Sequence, residues 1–297
     1  MSGTLFNIRY RIRILKLAIS KFPRARRLFK SPVFGTIKIM FGRMPFNVVY
    51  KDGHSFKSYD PFKFYDIRSL PYAEFAYNYQ GKEVKIIHAE RGEVEEIFLR
   101  GSYSWLPVKD RIVLDIGANV GDSAVYLALN GAKHVYALEV VPSTTQLCRE
   151  NVVNNGLEDR VTVLNVGAGK PGKEKISGNL WADGSYQVHE SMDGDKDVEI
   201  KSLRQIVDEL EIVDAVMKID CEGCEYDVIH PSNVNSLMRF SHIEGEYHYG
   251  FYSLKKTLED AGFDCSFSKP EPFYFSMNTP KEGRTGMFRA SRRPKND

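Results

Sequence analysis

The first 50 residues of this 297-residue chain contain no aspartate and no glutamate, and the whole chain has only four cysteines and two tryptophans. Four cysteines are too few for a disulfide scaffold, and their sparse use fits a reducing compartment. No uncharged apolar run approaches the ~18–20 residues that a spanning helix needs. Arg9, Arg11, Arg13 and Lys16 interrupt the first apolar stretch, so no secretory signal is visible and a cytoplasmic location is expected. What is present, 42% hydrophobic and 27% charged residues, is the composition of an ordinary globular protein. It excludes wholesale disorder and fibrous repeats.

The missing acids at the start expose a charge asymmetry. Residues 1–50 carry eleven Lys and Arg, whereas the remainder has 30 basic against 39 acidic residues, a net of −9. A basic arm, about 1–45, therefore precedes an acidic body. Such an arm points to an anionic partner, either a membrane surface or RNA, or else it packs on the body's own acidic surface. Leu5, Ile8, Ile12, Leu15 and Ile19 fall on one helical stripe, as an amphipathic membrane-surface helix requires. The alternation of Ile8, Tyr10, Ile12 and Ile14 with arginines allows a strand instead, and Pro23 ends either element.

Residues 46–110 are rich in aromatic and β-branched residues. Val84–His88 and Val94–Leu99 read as short strands with Gly81 and Gly92 as turns, and Asp60-Pro61 and Leu70-Pro71 punctuate the segment. The expectation is a small α+β extension. From 111 to 297 the pattern changes. Apolar runs at 112–116, 135–140, 161–166, 215–219 and 243–247 alternate with helical stretches near 122–130, 143–155, 202–211, 224–239 and 252–261. Gly131, Gly156 and Gly262 sit where helix C-caps belong. This alternation predicts an α/β fold, a mostly parallel sheet with helices on both faces, closed by a strand pair within 273–291. No internal repeat is visible.

The most informative segment is Val113-Leu114-Asp115-Ile116-Gly117-Ala118-Asn119-Val120-Gly121-Asp122. A buried strand, a glycine turn and a helix start aim backbone N–H groups at whatever binds beyond the strand. Glu139 ends the second strand, 22 residues after Gly117, where a carboxylate accepts hydrogen bonds from ribose hydroxyls. That recipe suits a nucleoside cofactor. A dinucleotide is disfavoured because Asn119 replaces the second glycine of the dinucleotide fingerprint, and because Asp115 would repel a pyrophosphate. An ammonium or sulfonium charge would be welcome there, and S-adenosylmethionine carries both.

The Asp-x-Gly-x-Asn-x-Gly loop followed by Glu139 resembles class I S-adenosylmethionine-dependent methyltransferases. Together with Lys218-Ile219-Asp220-Cys221-Glu222-Gly223-Cys224-Glu225 and Ile243-Glu244-Gly245-Glu246-Tyr247-His248, it is similar to the FkbM methyltransferase family over about 111–290. The resemblance implies a Rossmann-like domain with a seven-stranded sheet, and a cofactor site at Asp115, Gly117, Asn119, Gly121 and Glu139. Gly167 and Ala168 would lie near the adenine. It further implies methyl transfer to a hydroxyl on a sugar, lipid-linked or other small-molecule acceptor.

Asp220 and Glu222 follow the fourth strand of that domain, and Glu246 and His248 end the fifth, all at the edge that faces the crevice in open α/β sheets. A hydroxyl is a poor nucleophile until its proton is removed, so Asp220, Glu222, Glu246 and His248 are the candidate bases. His248 has the ordinary pKa nearest neutrality. Glu225 reads equally well as a helix-start acid. The Asn/Asp-Pro-Pro-aromatic turn common in amide- and base-directed N-methyltransferases is missing at Asp220-Cys221-Glu222-Gly223, which lowers an RNA reading without removing it. No metal site is assigned. Cys221-x-x-Cys224 has no second pair, the other six histidines show no ligand spacing, and a divalent ion on Asp220 and Glu246 suits carboxylate chemistry but cannot be read from spacing. Lys170–Glu199, with Trp181 and Tyr186 as stacking surfaces, is expected to help shape the acceptor pocket. An RNA methyltransferase and a non-enzymatic membrane-surface adaptor remain the competing readings.

Overall fold

Runs of apolar residues about five long become the central strands of one large sheet because helices cover both of its faces there, and Ile112–Ile116 and Ala215–Ile219 are almost wholly buried. The computed structural model describes residues 46–49, 55–58, 73–89, 91–98, 100–176, 196–269, 271–272 and 284–293, together with Lys16 and Val33. The arm readings at 5–19, Pro23, Asp60-Pro61, Leu70-Pro71, Trp181 and Tyr186 lie outside the described residues. The elements are β1 (Phe46–Val49), β2 (Ser55–Ser58), β3 (Ala73–Tyr79), β4 (Lys82–Ala89), α1 (Arg91–Phe98), β5 (Ile112–Ile116), α2 (Asp122–Leu129), β6 (His134–Leu138), α3 (Pro142–Asn154) and β7 (Val161–Leu164). They continue with β8 (Gly167–Ala168), β9 (Gly172–Ile176), β10 (Lys196–Lys201), α4 (Leu203–Glu209), β11 (Ala215–Ile219), α5 (Glu225–Val228), α6 (Val234–Leu237), β12 (Phe240–Tyr247), α7 (Tyr252–Asp260), β13 (Phe263–Phe267), β14 (Glu271–Pro272) and β15 (Arg284–Arg292).

The chain divides into two compact units, residues 1–73 with 90–93, and residues 74–89 with 94–297. In the first, β1 and β2 pair antiparallel. The second holds the large sheet, in the order β13-β15-β12-β11-β5-β6-β7. Strands β12, β11, β5, β6 and β7 run parallel, and β15 is antiparallel to both β12 and β13. This is the Rossmann-like, mostly parallel seven-stranded sheet that the alternating pattern and the family resemblance led one to expect. The chain order reverses direction across the sheet between β5 and β6 on one side and β11 on the other. The carboxyl ends of these strands therefore flank the crevice of an open α/β sheet. A small sheet, β8-β10-β9, lies within the same unit.

The expected strand at 94–99 is instead the helix α1. Val94, Ile97 and Phe98 recur at helical spacing and are all buried, and Gly92 lies inside the helix rather than at a turn. Gln80 and Gly81, both left-handed, form the two-residue turn that joins β3 to β4. The single helix expected at 224–239 is broken into α5, a 3-10 turn at Pro231–Asn233 and α6. Pro231 drives His230 into extended backbone at φ −114°, ψ 149°. In the expected closing segment, β15 adds the antiparallel strand and pairs with both β13 and β14, while positions 273–283 lie outside the described residues. Among the described residues no helix is long and apolar enough to cross a membrane.

Two asparagines one helical turn apart hold β4 against α3. Asn151 Oδ1 accepts from Ile87 N–H at 2.7 Å and its Nδ2 donates to the Ile87 carbonyl at 3.0 Å. Asn155 makes the same pair of bonds with Lys85. The side-chain amides imitate a neighbouring strand and satisfy an edge that would otherwise be unpaired. Asn151 Nδ2 also donates to the Val120 carbonyl at 2.8 Å, which ties this edge to the glycine loop.

Candidate functional site

The loop between β5 and α2 is built on three left-handed residues, Gly117 (φ 75°), Asn119 (φ 48°) and Gly121 (φ 89°). An ideal Cβ on Gly117 would lie 1.8 Å from the Asp220 carbonyl oxygen, and one on Gly121 would lie 2.7 Å from Cys148 Sγ. The family resemblance placed Gly117 in the cofactor site. Its bare backbone is in fact needed by the chain itself, where β5 and β11 end against each other. Asn119 serves as the αL residue, a role asparagine tolerates. Its N–H donates to Glu139 Oε2 at 3.0 Å, while Glu139 Oε1 accepts from Val141 N–H at 2.8 Å. Burial raises the Glu139 pKa, and these backbone N–H groups oppose the rise.

Asp115 is wholly buried, and the partner of its carboxylate is a residue the sequence reading passed over. Lys218 Nζ lies 3.1 Å from Asp115 Oδ1 and donates to the carbonyls of Gly117 (2.6 Å) and Ile116 (3.3 Å). Ser123 Oγ donates to Asp115 Oδ2 at 2.7 Å. Lys218 is as buried as Asp115; desolvation opposes its charge, but Asp115 and Asp220 hold its pKa above the ordinary value. The carboxylate expected to meet a cationic ligand is thus committed to an internal cation that also fixes the loop. The signal was there to be read: a lysine between Met217 and Ile219, in a strand otherwise fully apolar, must find a buried acid.

Asp122 opens α2. Its Oδ1 accepts from Ser123 N–H at 2.9 Å, while its Oδ2 is buried without a hydrogen-bond partner among the described residues. Burial pushes its pKa up to about 6. Gly167 and Ala168 form β8, which pairs with β10, and a Cβ on Gly167 would run into Ile200 and Val140.

The acidic rim gathers at the ends of β11 and β12. Glu225, at the start of α5, is fully buried and spans its own loop by accepting from the N–H groups of Cys221 and Gly223, both at 2.9 Å. Its other neighbour is His248, whose Nδ1 is 3.2 Å from Glu225 Oε1. His248 Nε2 is 3.3 Å from Glu222 Oε2 and 3.9 Å from Asp220 Oδ1. Desolvation disfavours the charged imidazole, but Glu222 and Glu225 outweigh it and push its pKa up to about 12. A histidine so held keeps its proton until another cation takes that proton's place, so the near-neutral pKa that recommended His248 as a base is not what the fold provides. Burial, with Asp220 and Glu222 nearby, pushes Glu246 up to about 8. Tyr103 donates to Asp220 Oδ2 at 3.2 Å, and its phenol is kept protonated by burial and by Asp220. Tyr103 also lies beneath the Lys218 ammonium, 5.6 Å from ring centroid to Nζ. The structure therefore brings Asp220, Glu222, Glu246 and His248 together.

Cys221 and Cys224 are joined by a disulfide, a pairing that the low cysteine count gave no reason to expect; Cys148 and Cys265 are free thiols.

Comparison with known proteins places this geometry. A family model described as the methyltransferase FkbM domain matches residues 115–265, which contain both the glycine loop and the acidic rim. The ribosomal protein L11 methyltransferase of Carboxydothermus hydrogenoformans is 41% identical over 54 residues, 18% of each chain. A probable protein arginine N-methyltransferase of Arabidopsis thaliana is 44% identical over 57 residues, 19% of this chain and 15% of that protein. The chain thus spans under a fifth of the length of these curated relatives. Among solved structures, the precorrin-6y C5,15-methyltransferase of Geobacter metallireducens superimposes with a TM-score of 0.38 at 14% identity, over 65% of this chain and 86% of that one. The magnesium protoporphyrin IX methyltransferase of Synechocystis, solved with bound S-adenosylmethionine, gives 0.39 at 12% identity, over 68% and 79%.

Proposed function

The chain belongs to the FkbM methyltransferase domain family, so S-adenosylmethionine is the cofactor of this crevice, and we propose that the protein directs methyl transfer to a hydroxyl oxygen of a sugar, lipid-linked or other small-molecule acceptor. The observation that carries the proposal is the close approach of Gly117 to the Asp220 carbonyl: the loop after β5 packs backbone against backbone on the end of β11, where the carboxylate rim begins.

The residues present fit the cofactor. Asp122 offers a buried carboxylate oxygen with no hydrogen-bond partner among the described residues, suited to an ammonium or sulfonium charge. Glu139 presents a carboxylate at the end of β6, and although both oxygens accept from backbone, each retains a lone pair for a ribose hydroxyl. Asp115 and Lys218 would hold the loop in shape without touching the ligand. When bound, the cofactor supplies an electrophilic methyl group. The chain's own work is to align the acceptor oxygen and to take its proton. Asp220, Glu222 and Glu246 converge at the rim, and a carboxylate there can take the proton of a hydroxyl, which favours a hydroxyl substrate. His248, locked to Glu225 and Glu222, would position those carboxylates instead of drawing off the proton. The basic arm supports placing the acceptor at an anionic surface, with the protein cytoplasmic and peripheral to the membrane.

Calorimetry with S-adenosylmethionine, followed by mass spectrometry after incubation with panels of hydroxyl, amine and RNA acceptors, tests the reading. Added methyl on the hydroxyl panel alone is the expected result. Transfer only to amines or RNA would replace the acceptor assignment, and retention on RNA that falls steeply with salt would mark the arm as a phosphate tracker.

A further inference from the structure

We propose that Asp220, Glu246 and His248 are the ligands of a divalent cation on the acceptor side of the crevice. The proposal deepens the methyl-transfer reading. It rests on that reading for the ion's role, but the binding of the ion can be judged without it.

One ligand atom from each of the three residues can be chosen so that all lie within 4.8 Å of one another. Rigid strands place them. Asp220 directly follows β11, Glu246 lies near the end of β12 and His248 directly follows it, and the two strands are locked in parallel register with Ile219 beside Gly245. Two of the three donors are also aimed. Tyr103 takes Asp220 Oδ2, so Oδ1 is the oxygen turned toward the imidazole. Behind His248, the buried and doubly anchored Glu225 faces Nδ1, and the opposite nitrogen, Nε2, faces the carboxylates. A carboxylate backing the far nitrogen of an imidazole is the support that metal-binding histidines ordinarily have.

Charge points the same way. Asp220, Glu222, Glu225 and Glu246 bring four carboxylates around a single imidazole. Lys218, whose charge also interacts with Asp220, is spent on Asp115 and on two loop carbonyls. Gathering so much negative charge in a largely buried place is costly unless a cation offsets it. Two carboxylate oxygens and one imidazole nitrogen suit manganese, magnesium or iron(II), and three protein ligands leave open positions for the oxygens of an acceptor. Coordination of the acceptor hydroxyl would polarise its O–H bond. The proton passes to the neighbouring Glu222 carboxylate, the electron pair stays on oxygen, and the new C–O bond forms as the methyl's bond to sulfur breaks.

The test uses the full chain, stripped with chelator and titrated with manganese(II) by calorimetry and electron paramagnetic resonance. One ion per chain is expected, with spin-echo modulation from a directly bound imidazole nitrogen. Asp220→Asn and His248→Gln should each weaken manganese binding by about tenfold or more while S-adenosylmethionine affinity stays within about twofold, a difference too small to register as a lost contact. Glu244→Gln should leave manganese binding unchanged. Glu244 lies on the same strand two residues before Glu246 and is committed to Arg289 at 2.7 Å. No saturable manganese binding by wild-type protein that does bind S-adenosylmethionine would overturn the proposal. So would binding without the nitrogen signature, a readout on the wild-type protein that serves even if the variants fail to fold. If S-adenosylmethionine does not bind while manganese does, it is the methyl-transfer reading that fails.

Discussion

The two sides of the crevice are built on opposite electrostatic plans. On the side we propose for the cofactor, around Gly117–Glu139, nearly every buried polar group has an internal partner: Asp115 has Lys218 and Ser123, and Glu139 has two backbone N–H groups. Among the described residues, Asp122 Oδ2 is the exception. On the side we propose for the acceptor, four carboxylates crowd one histidine, and the pKa values of Glu246 and His248 are both pushed up, to about 8 and about 12. A side that satisfies itself is pre-organised and can hold one invariant ligand. A side left with excess charge is waiting for something positively charged or proton-donating to complete it.

The comparison breaks most visibly at Lys218. Lys218→Met should strand a buried Asp115 and two loop carbonyls, costing about 3–5 kcal/mol, as read by chemical denaturation. An unchanged midpoint would mean that the cofactor side does not depend on its internal cation. Next in size, Glu246→Gln should reduce turnover by about a hundredfold or more while leaving calorimetric S-adenosylmethionine affinity intact. Equal losses in both measurements would erase the distinction between the sides.

Asp122 sharpens the comparison through pH. Its pKa in the fold, about 6, lies above the ordinary carboxylate value because burial penalises the charge, and Asp115 on β5 adds to that while Lys218 on β11 and the Ser123 N–H oppose it. A raised carboxyl pKa favours the folded state below about pH 4, and that advantage is lost as pH rises through about 6. Asp122→Asn should therefore be more stable than wild type by about 2 kcal/mol at pH 7, with the gain vanishing toward pH 4, and should bind S-adenosylmethionine more weakly. A site that gives up stability to meet a ligand behaves in this way. A pH-independent difference would sink the assignment.

How much of this was legible beforehand depended on whether the signal was local. Ile112–Ile116 and Ala215–Ile219 are strands in sequence and structure alike, because a strand buried on both faces is written as an unbroken apolar run. The short α1 was misread since eight residues of mixed apolar and acidic type satisfy either period, and only burial decides. The rim carboxylates were found because strand ends locate them. The raised pKa of His248 could not be, since Glu225 reaches it only after the loop at Cys221–Gly223 folds back. Asn151 was equally hidden: three bonds to two distant segments leave no trace in a helical pattern.

The smallest expected effect is the control for the whole comparison. Ser202 caps α4 by accepting from Gln205 N–H at 3.2 Å, and Gln205 Oε1 accepts from Ser202 N–H at 3.0 Å. This reciprocal pair satisfies two donors at a helix start whose Leu203, Ile206 and Val207 sit in the core. Ser202→Ala should cost about 1 kcal/mol in denaturant and leave S-adenosylmethionine and manganese affinities as they were. If either affinity moves with the cap, the two sides are not locally built but share the stability of the whole sheet, and the contrast between a completed side and a waiting one would have to be restated as a property of the fold.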